Sequence, residues 1–309
     1  MNTTFPITSL APSICSLMGI SSSLKKSGDV LLPFDYTKRP DKLCLITVDS
    51  LGISAINSEY TPQEAATSQV NVTAKIFGGS FQIDRALAAH ERQVVDLVNF
   101  QLQQKAQATR ALFNDWFING DSASNATSFD GIDKAITGSS TERTPATAID
   151  LSSAASIVAN WQAFLYELRQ TIALTDGAPT ILAVNRPLFA VFQSIADLST
   201  QFTQTRNELG AEVVKYGVTT IMEMGDKPGT SDPIIPISSS DGTTSLYMMR
   251  LGLDGVHAVT PDGMTAPKIY LPNMTDPGAV KTGEVEMVAA AVLKSTRSAA
   301  VLRNIKVQG

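Results

Sequence analysis

From Asp84 to Ile118 the chain contains neither proline nor glycine, and no other feature limits its folding as strongly. Asp84 can cap the start of a helix and Gly120 can stop it. Leu87, Val94, Leu97, Val98, Leu102, Ala106, Thr109, Phe113 and Trp116 recur at helical spacings, so they fall on one stripe. Arg92, Asp96, Gln103, Gln107 and Arg110 take the opposite side. A helix over 84–118 is roughly 50 Å long at about 1.5 Å per residue. That exceeds the thickness of a compact domain of this size. The spacing therefore predicts an elongated subunit built along a spine helix.

The flanking segments read differently. Residues 1–42 have no period and are punctuated by Pro6, Pro12, Gly19, Gly28, Pro33 and Pro40, with Lys25, Lys26, Lys38, Arg39 and Lys42 making them locally basic. So long an irregular stretch is either disordered or an extended arm held by something else. Leu43–Val48 reads as a strand, and Val70–Phe77 alternates apolar and polar residues. With the polar stretch 50–68 between them, these make a long hairpin, and Gly78-Gly79 is expected to break it at its base.

Beyond the spine, Asn119-Gly120-Asp121 and Phe129-Asp130-Gly131-Ile132 carry turn chemistry, and 138–148 is a Gly/Ser/Thr/Pro linker. A helix is expected over 154–174, facing Ile157, Trp161, Phe164, Leu165 and Leu168 inward. Thr180–Val184 is a buried-strand candidate. Arg186-Pro187 opens another helix, to about Gln201. Short strands are expected at Val213-Val214, Val218–Met224, Ile234–Ile237, Ser245–Arg250 and Val256–Val259, separated by Pro/Gly turns. The stretch from Gly283 to Val307 is mostly strand-like, with Ala289–Ala291 open to a helical reading.

Composition narrows the function classes. Of 309 residues, 43% are hydrophobic, enough for a core, which argues against disorder. Only 17% are charged, below the roughly 25% of an ordinary soluble protein. A neutral surface of small residues suits a protein covered by copies of itself. The net charge of −5 argues against a general nucleic-acid binder. Cys15 and Cys44 read as inert thiols more readily than as a disulfide, and two cysteines with two histidines form no zinc pattern. No apolar run approaches a membrane span, and the start lacks a signal-peptide pattern, so a soluble, unprocessed, cytoplasmic origin is expected.

No phosphate-binding glycine loop, dinucleotide fingerprint or nucleophile elbow occurs. His90 reads as a solvated helix residue and His257 as a structural residue on an alternating strand; no Ser or Cys pairs with either. Glu284 and Glu286 would share a strand face, where a cation site is the sharper reading and exposed polarity the simpler one. Asp130, Asp176, Asp241, Asp254 and Asp262 each precede glycine, and turns explain them. Asn2, Asn71, Asn125 and Asn273 match the glycosylation pattern, which carries little weight without a secretion signal. Trp116-Phe117 reads as a core anchor. No catalytic, cofactor-binding or metal residue is predicted.

The order of these elements, and above all Gly78-Gly79-Ser80-Phe81-Gln82-Ile83-Asp84 leading to a long helix that ends in Phe117-Ile118-Asn119-Gly120-Asp121 and continues to Phe129-Asp130-Gly131-Ile132, resembles the tailed-bacteriophage major capsid proteins of the HK97-type fold. The resemblance implies an α+β chain. Its parts would be an N-terminal arm at 1–42, an extended β-hairpin loop at 43–80 and a peripheral domain at 81–148 with spine helix 84–118. A mixed axial domain at 149–264 and return strands of the peripheral domain at 265–309 would complete it. It implies a structural, non-enzymatic protein that self-assembles through hexamers and pentamers into an icosahedral virion shell around dsDNA held without specific binding, assembled in the host cytoplasm. It also implies a scaffolding protein that is either a separate chain or absent, separate portal and decoration partners, no membrane and no cofactor. Some members cross-link Lys to Asn between subunits. Here the hairpin's only lysine is Lys75, near its base, and no basis for that chemistry is seen. An encapsulin-like compartment and an α/β enzyme with an unrecognised site are the rival readings.

Overall fold

The computed structural model describes residues 42–47, 66–85, 97–206, 212–261, 267–273, 275 and 277–309. Strands β1 (Lys42–Thr47) and β2 (Ala66–Asn71) pair antiparallel, with Lys42 opposite Asn71 and Thr47 opposite Ala66. β3 (Lys75–Asp84) follows, Arg85 is already helical, and helix α1 covers Leu97–Asn119. The start of the expected spine, with Leu87, His90 and Val94, lies outside the described residues, as do the expected arm and hairpin tip. Next come α2 (Ile132–Ile136), β4 (Glu142–Arg143), β5 (Ile149–Asp150), α3 (Ala154–Ile172), β6 (Ile181–Val184) and α4 (Arg186–Leu198). The chain then runs through β7 (Phe202–Arg206), β8 (Glu212–Tyr216), β9 (Thr219–Glu223), β10 (Thr243–Met249), β11 (Val256–Val259), β12 (Lys268–Tyr270), β13 (Val280–Leu293) and β14 (Ala299–Lys306).

One large mixed sheet has the order β4-β14-β10-β6-β9-β8-β7, with β5 also on β14. Its central strands are apolar on both faces because both faces are covered. Leu246 and Met248 of β10, Leu182 and Val184 of β6, and Ala300 and Leu302 of β14 join a core with Phe164, Leu165 and Leu168 of α3 and Leu188 and Phe192 of α4. Their alternates, Tyr247, Met249, Ile181, Ala183, Ala299 and Val301, turn to a second core. There they meet Phe113, Phe117 and Ile118 of α1, Phe129, and Ile132 and Ile136 of α2.

The α1 stripe engages late. Thr109, Phe113 and Phe117 are buried, whereas Ala106, expected on the same stripe, is exposed. The anchoring is aromatic: Phe113 stacks on Phe77 of β3 at 5.6 Å between ring centroids, and Trp116 meets Phe129 edge-on at 5.9 Å. Trp116-Phe117 is therefore the core anchor its sequence suggested.

Three further sequence expectations fail, each for a tertiary reason. Gly78 and Gly79 do not break the hairpin. They lie inside β3, which pairs with β13 from Lys75–Ala289 to Asp84–Val280, while the strand break falls at 72–74. A Cβ at Gly78 would sit 1.9 Å from the Val285 carbonyl oxygen, so glycine here permits a close ladder. Ile234–Ile237 is no strand: Pro233 and Pro236 remove two ladder donors, and the run is held by isolated bridges and by the buried Asn185 amide, which donates to the Ile235 carbonyl at 3.2 Å. Ala289–Ala291 is strand, not helix, because β3 and β11 pair with it in register. β7 and β12 had no sequence forecast.

The Asn-Gly-Asp and Phe-Asp-Gly-Ile passages meet face to face. The Gly131 N–H donates to the Gly120 carbonyl at 2.8 Å. A Cβ at Gly120 would lie 2.2 Å from the Phe129 oxygen, and one at Gly131 would lie 2.6 Å from the Ile118 oxygen. Lys134 closes the loop, its ammonium 2.5 Å from Asp121 and 2.8 Å from Asp130. That contact, with Ser124 and the Ala123 N–H, holds the Asp121 carboxyl below the usual range.

Two measurements check this packing. Gly131→Ala forces backbone against backbone and is expected to cost about 3 kcal/mol in urea unfolding. Gly229→Ala, at φ +74 with open space around it, is expected to cost only about 1 kcal/mol of left-handed strain. Equal costs would contradict the close approach. His257 on β11 is the second probe. Burial first, then Lys294, lowers its pKa to about 4, and its Nδ1 is buried with no partner among the described residues. Its contribution is thus complete above about pH 6.5 and is lost as pH falls to about 4, because only the unfolded imidazole takes up the proton. His257→Gln is expected to remove about 3 kcal/mol of acid sensitivity across that window, read as the difference between two pH–stability curves. Parallel curves would show that His257 already titrates normally.

Candidate assembly surface

The described residues hold no cluster of three or more metal-ligating side chains, and no described helix is long and apolar enough to cross a membrane. The residues singled out from sequence do not converge. Glu284 and Glu286 lie on the outward face of β13, where Tyr270 and Lys268 of β12 stand opposite them. Lys268 and Glu286 are register partners, opposite charges facing each other across the strand pair. The Lys75 ammonium donates to the Ala126 carbonyl at 2.7 Å. Asp130 accepts from the Ser122 N–H at 2.8 Å, a turn role. Cys15 and His90 lie outside the described residues.

The strongest polar cluster ties elements together. The Arg303 guanidinium on β14 reaches Asp133 of α2 at 2.7 Å and also bonds Glu142 of β4. The Tyr247 hydroxyl of β10 donates to Asp133 at 2.8 Å. Burial, then the Asp133 charge, pushes the Tyr247 phenol up, so it stays a donor. Burial opposes the Arg303 charge, but its two carboxylate partners outweigh it and raise its pKa. The Gly138 N–H bond, despite partial burial and helped by Arg303, holds the Glu142 carboxyl low. Every charge here has a partner, and this arrangement is a fastener between α2 and the sheet.

Several large apolar side chains among the described residues remain exposed. On the β3–β13–β12 ladder, Ile76 is 68% exposed and Leu271 64%, with Ile269, Tyr270 and Val280 about half exposed. All three residues of β12 are exposed, and Pro267 and Pro272 bracket it. On the large sheet's helical layer, Val158 and Tyr166 of α3 are 60% and 58% exposed. Beside them, α3 and the strap 142–149 enclose an open hollow of ≈ 700 Å³ lined by Pro145, Ala146, Ile149, Ala163, Tyr166 and Glu167, among others. Sequence reasoning identified the inward face of α3 and passed over the outward one. The available signal was the absence of any charge from Leu151 to Tyr166.

No protein-family model and no curated protein sequence matches the chain. Solved structures do. The holo-SrpI encapsulin complex from Synechococcus elongatus aligns over 91% of this chain and 93% of its own at 10% identity, with a TM-score of 0.56. A chain from Mycobacterium phage Bobi aligns over 85% and 84% at 10% identity, TM-score 0.54. The capsid of an empty GTA particle covers 99% of both chains at 10% identity, TM-score 0.52. Sequence identity is low throughout while the path of the chain is shared nearly end to end, so this chain has the HK97-type fold, common to phage capsid subunits and an encapsulin.

Proposed function

We propose that the chain is a major capsid protein whose copies assemble through hexamers and pentamers into an icosahedral shell around a phage dsDNA genome. The observation that carries this reading is the near-complete coverage in the fold match. The outward apolar faces on the β3–β13–β12 ladder and on α3 support it, since each is a surface that a neighbouring copy can bury. On this reading, 1–42 is the arm, 43–80 the extended loop, 81–148 with 265–309 the peripheral domain, and 149–264 the axial domain. The work is structural: many modest interfaces add up by multivalency, without a catalytic group. A net charge of −5 suits a wall that confines DNA without gripping it. Portal, scaffolding and decoration proteins would be separate chains, and the location would be the virion.

A second reading, an encapsulin-like compartment, is favoured by the SrpI likeness. Electron microscopy of particles recovered from the cells that make them separates the two. Closed shells holding nuclease-resistant DNA are expected; shells holding protein cargo would select the compartment, and discrete monomers would sink both. Deleting residues 1–30 is expected to leave the unfolding transition of the subunit unchanged while closed shells fall at least tenfold in yield. Undiminished yield would show that the arm clasps nothing.

A further inference from the structure

The large sheet ends differently at its two edges. At one end the edge is broken: β4 and β5 each pair with β14 for two residues only. Between them β14 turns through Asn304, at φ +62, whose amide donates to the Pro145 carbonyl at 3.0 Å. The strap so formed stands off from α3 and leaves the hollow beside Ala163 and Tyr166. At the other end β7 pairs, among the described residues, only with β8. Edge strands of self-contained proteins are guarded by lysine, proline, bulges or extreme shortness. The broken edge has Pro145 and two-residue strands. β7, Phe202–Arg206, has no lysine, proline or bulge; Thr203, Gln204 and Thr205 are exposed and Arg206 ends it.

The two ends also match in chemistry. The outward side of α3 carries Ala155, Val158, Ala159, Gln162, Ala163 and Tyr166, and its first charge is Arg169 in the last turn, which bonds Tyr216 and Gln201. β7 presents threonines and a glutamine, with Leu198 exposed at the end of α4. The charges that line the hollow are already paired, Arg143 with Glu167 and Glu142 with Arg303, so covering it strands none of them. Phe202 and Gln204 point to the helical side of the sheet: Phe202 joins the α3–α4 core, and the Gln204 amide meets Asp197 of α4 at 3.4 Å. Gln204 therefore lies in the same layer as Tyr166, at the opposite end of a sheet seven strands wide, or about 29 Å.

We infer that the β7 edge of one copy seats in the hollow between the strap and α3 of the next, a head-to-tail contact between copies of this chain. The inference rests on the shell reading and assigns the faces that would join within it. A contact between two different faces repeats from copy to copy, closing into a ring where the rotation permits. The α3 face from Ala155 to Tyr166 is then buried by the neighbour, and the β7 side chains are shielded from solvent.

Cysteine trapping tests the pairing. In a Cys15→Ser, Cys44→Ser background, Ala163→Cys together with Gln204→Cys is expected to give, on mild oxidation of assembled protein, a ladder of disulfide-linked species beyond the dimer. Either cysteine alone is expected to give none. Dimers from Ala163→Cys alone would mean that α3 meets α3, and they overturn the assignment. So does a link from Ala163→Cys to native Cys15 in the unsubstituted background, which would put the arm in the hollow. Tyr166→Glu is expected to reduce assembled protein at least tenfold with an unchanged unfolding midpoint, since Tyr166 is outside both cores. Particles that form without a ladder overturn this contact alone. Monomer at every concentration overturns the shell reading with it.

Discussion

A sheet buried on both faces governs the rest of this structure. Tyr247 and Met249 point one way and Leu246 and Met248 the other, and all four are essentially inaccessible. A strand in that position must be apolar throughout, so the chain needs two separate covers. One is the α3–α4 layer. The other is assembled from distant pieces: the end of α1, Phe129, α2 and the aromatic contact to β3. The second cover works only because Gly120 and Gly131 let the chain turn under α1 with backbone against backbone. The Arg303 network then fastens α2 where the cover meets the sheet edge. Removing any one element would leave apolar strand surface in water, at about 25 cal/mol for each Å² exposed.

The parts of this fold that are legible in the sequence are those whose causes are local. α3 begins at Ser153, which accepts from the Ser156 N–H, and α4 begins at Asn185 with proline in its first turn. Both starts can be read from a few adjacent residues. The paired Asn-Gly-Asp and Phe-Asp-Gly-Ile passages are legible for the same reason, although their mutual contact is not. Gly78-Gly79 misleads because the local rule, that glycine ends strands, is overridden by the Val285 carbonyl two hundred residues away. Ile234–Ile237 misleads because burial without a ladder looks, from the side chains alone, like burial within one. β7 escapes notice because threonine and glutamine at an edge carry neither alternation nor an apolar run.

The candidate surface is harder to read than the core, and the reason is physical. A core residue announces itself by period, since every turn of an amphipathic helix repeats the demand. An assembly residue answers to a partner that the sequence does not contain. On α3 the inward positions Ile157, Phe164, Leu165 and Leu168 follow the helical period, whereas Val158 and Tyr166 break it. Seen from one chain they look like imperfections in the amphipathic pattern. They become interpretable once α3 is known to lie over β14 with its far side uncovered and a hollow beside it.

Absence of charge carries as much information here as presence of apolar groups. A surface that must stay in water keeps charges spaced along it. Several of this chain's described ion pairs sit at joints between elements: Arg303 between α2, β4 and β14, Lys134 across the turn after α1, Arg143 with Glu167 between the strap and α3. Charges used internally cannot also repel neighbours. The outward face of α3 from Ala155 to Tyr166 carries no charge, so the desolvation cost of covering it is low. The ion pairs at these joints hold elements in place, while the uncharged stretch of α3 is a surface that little free energy is needed to cover.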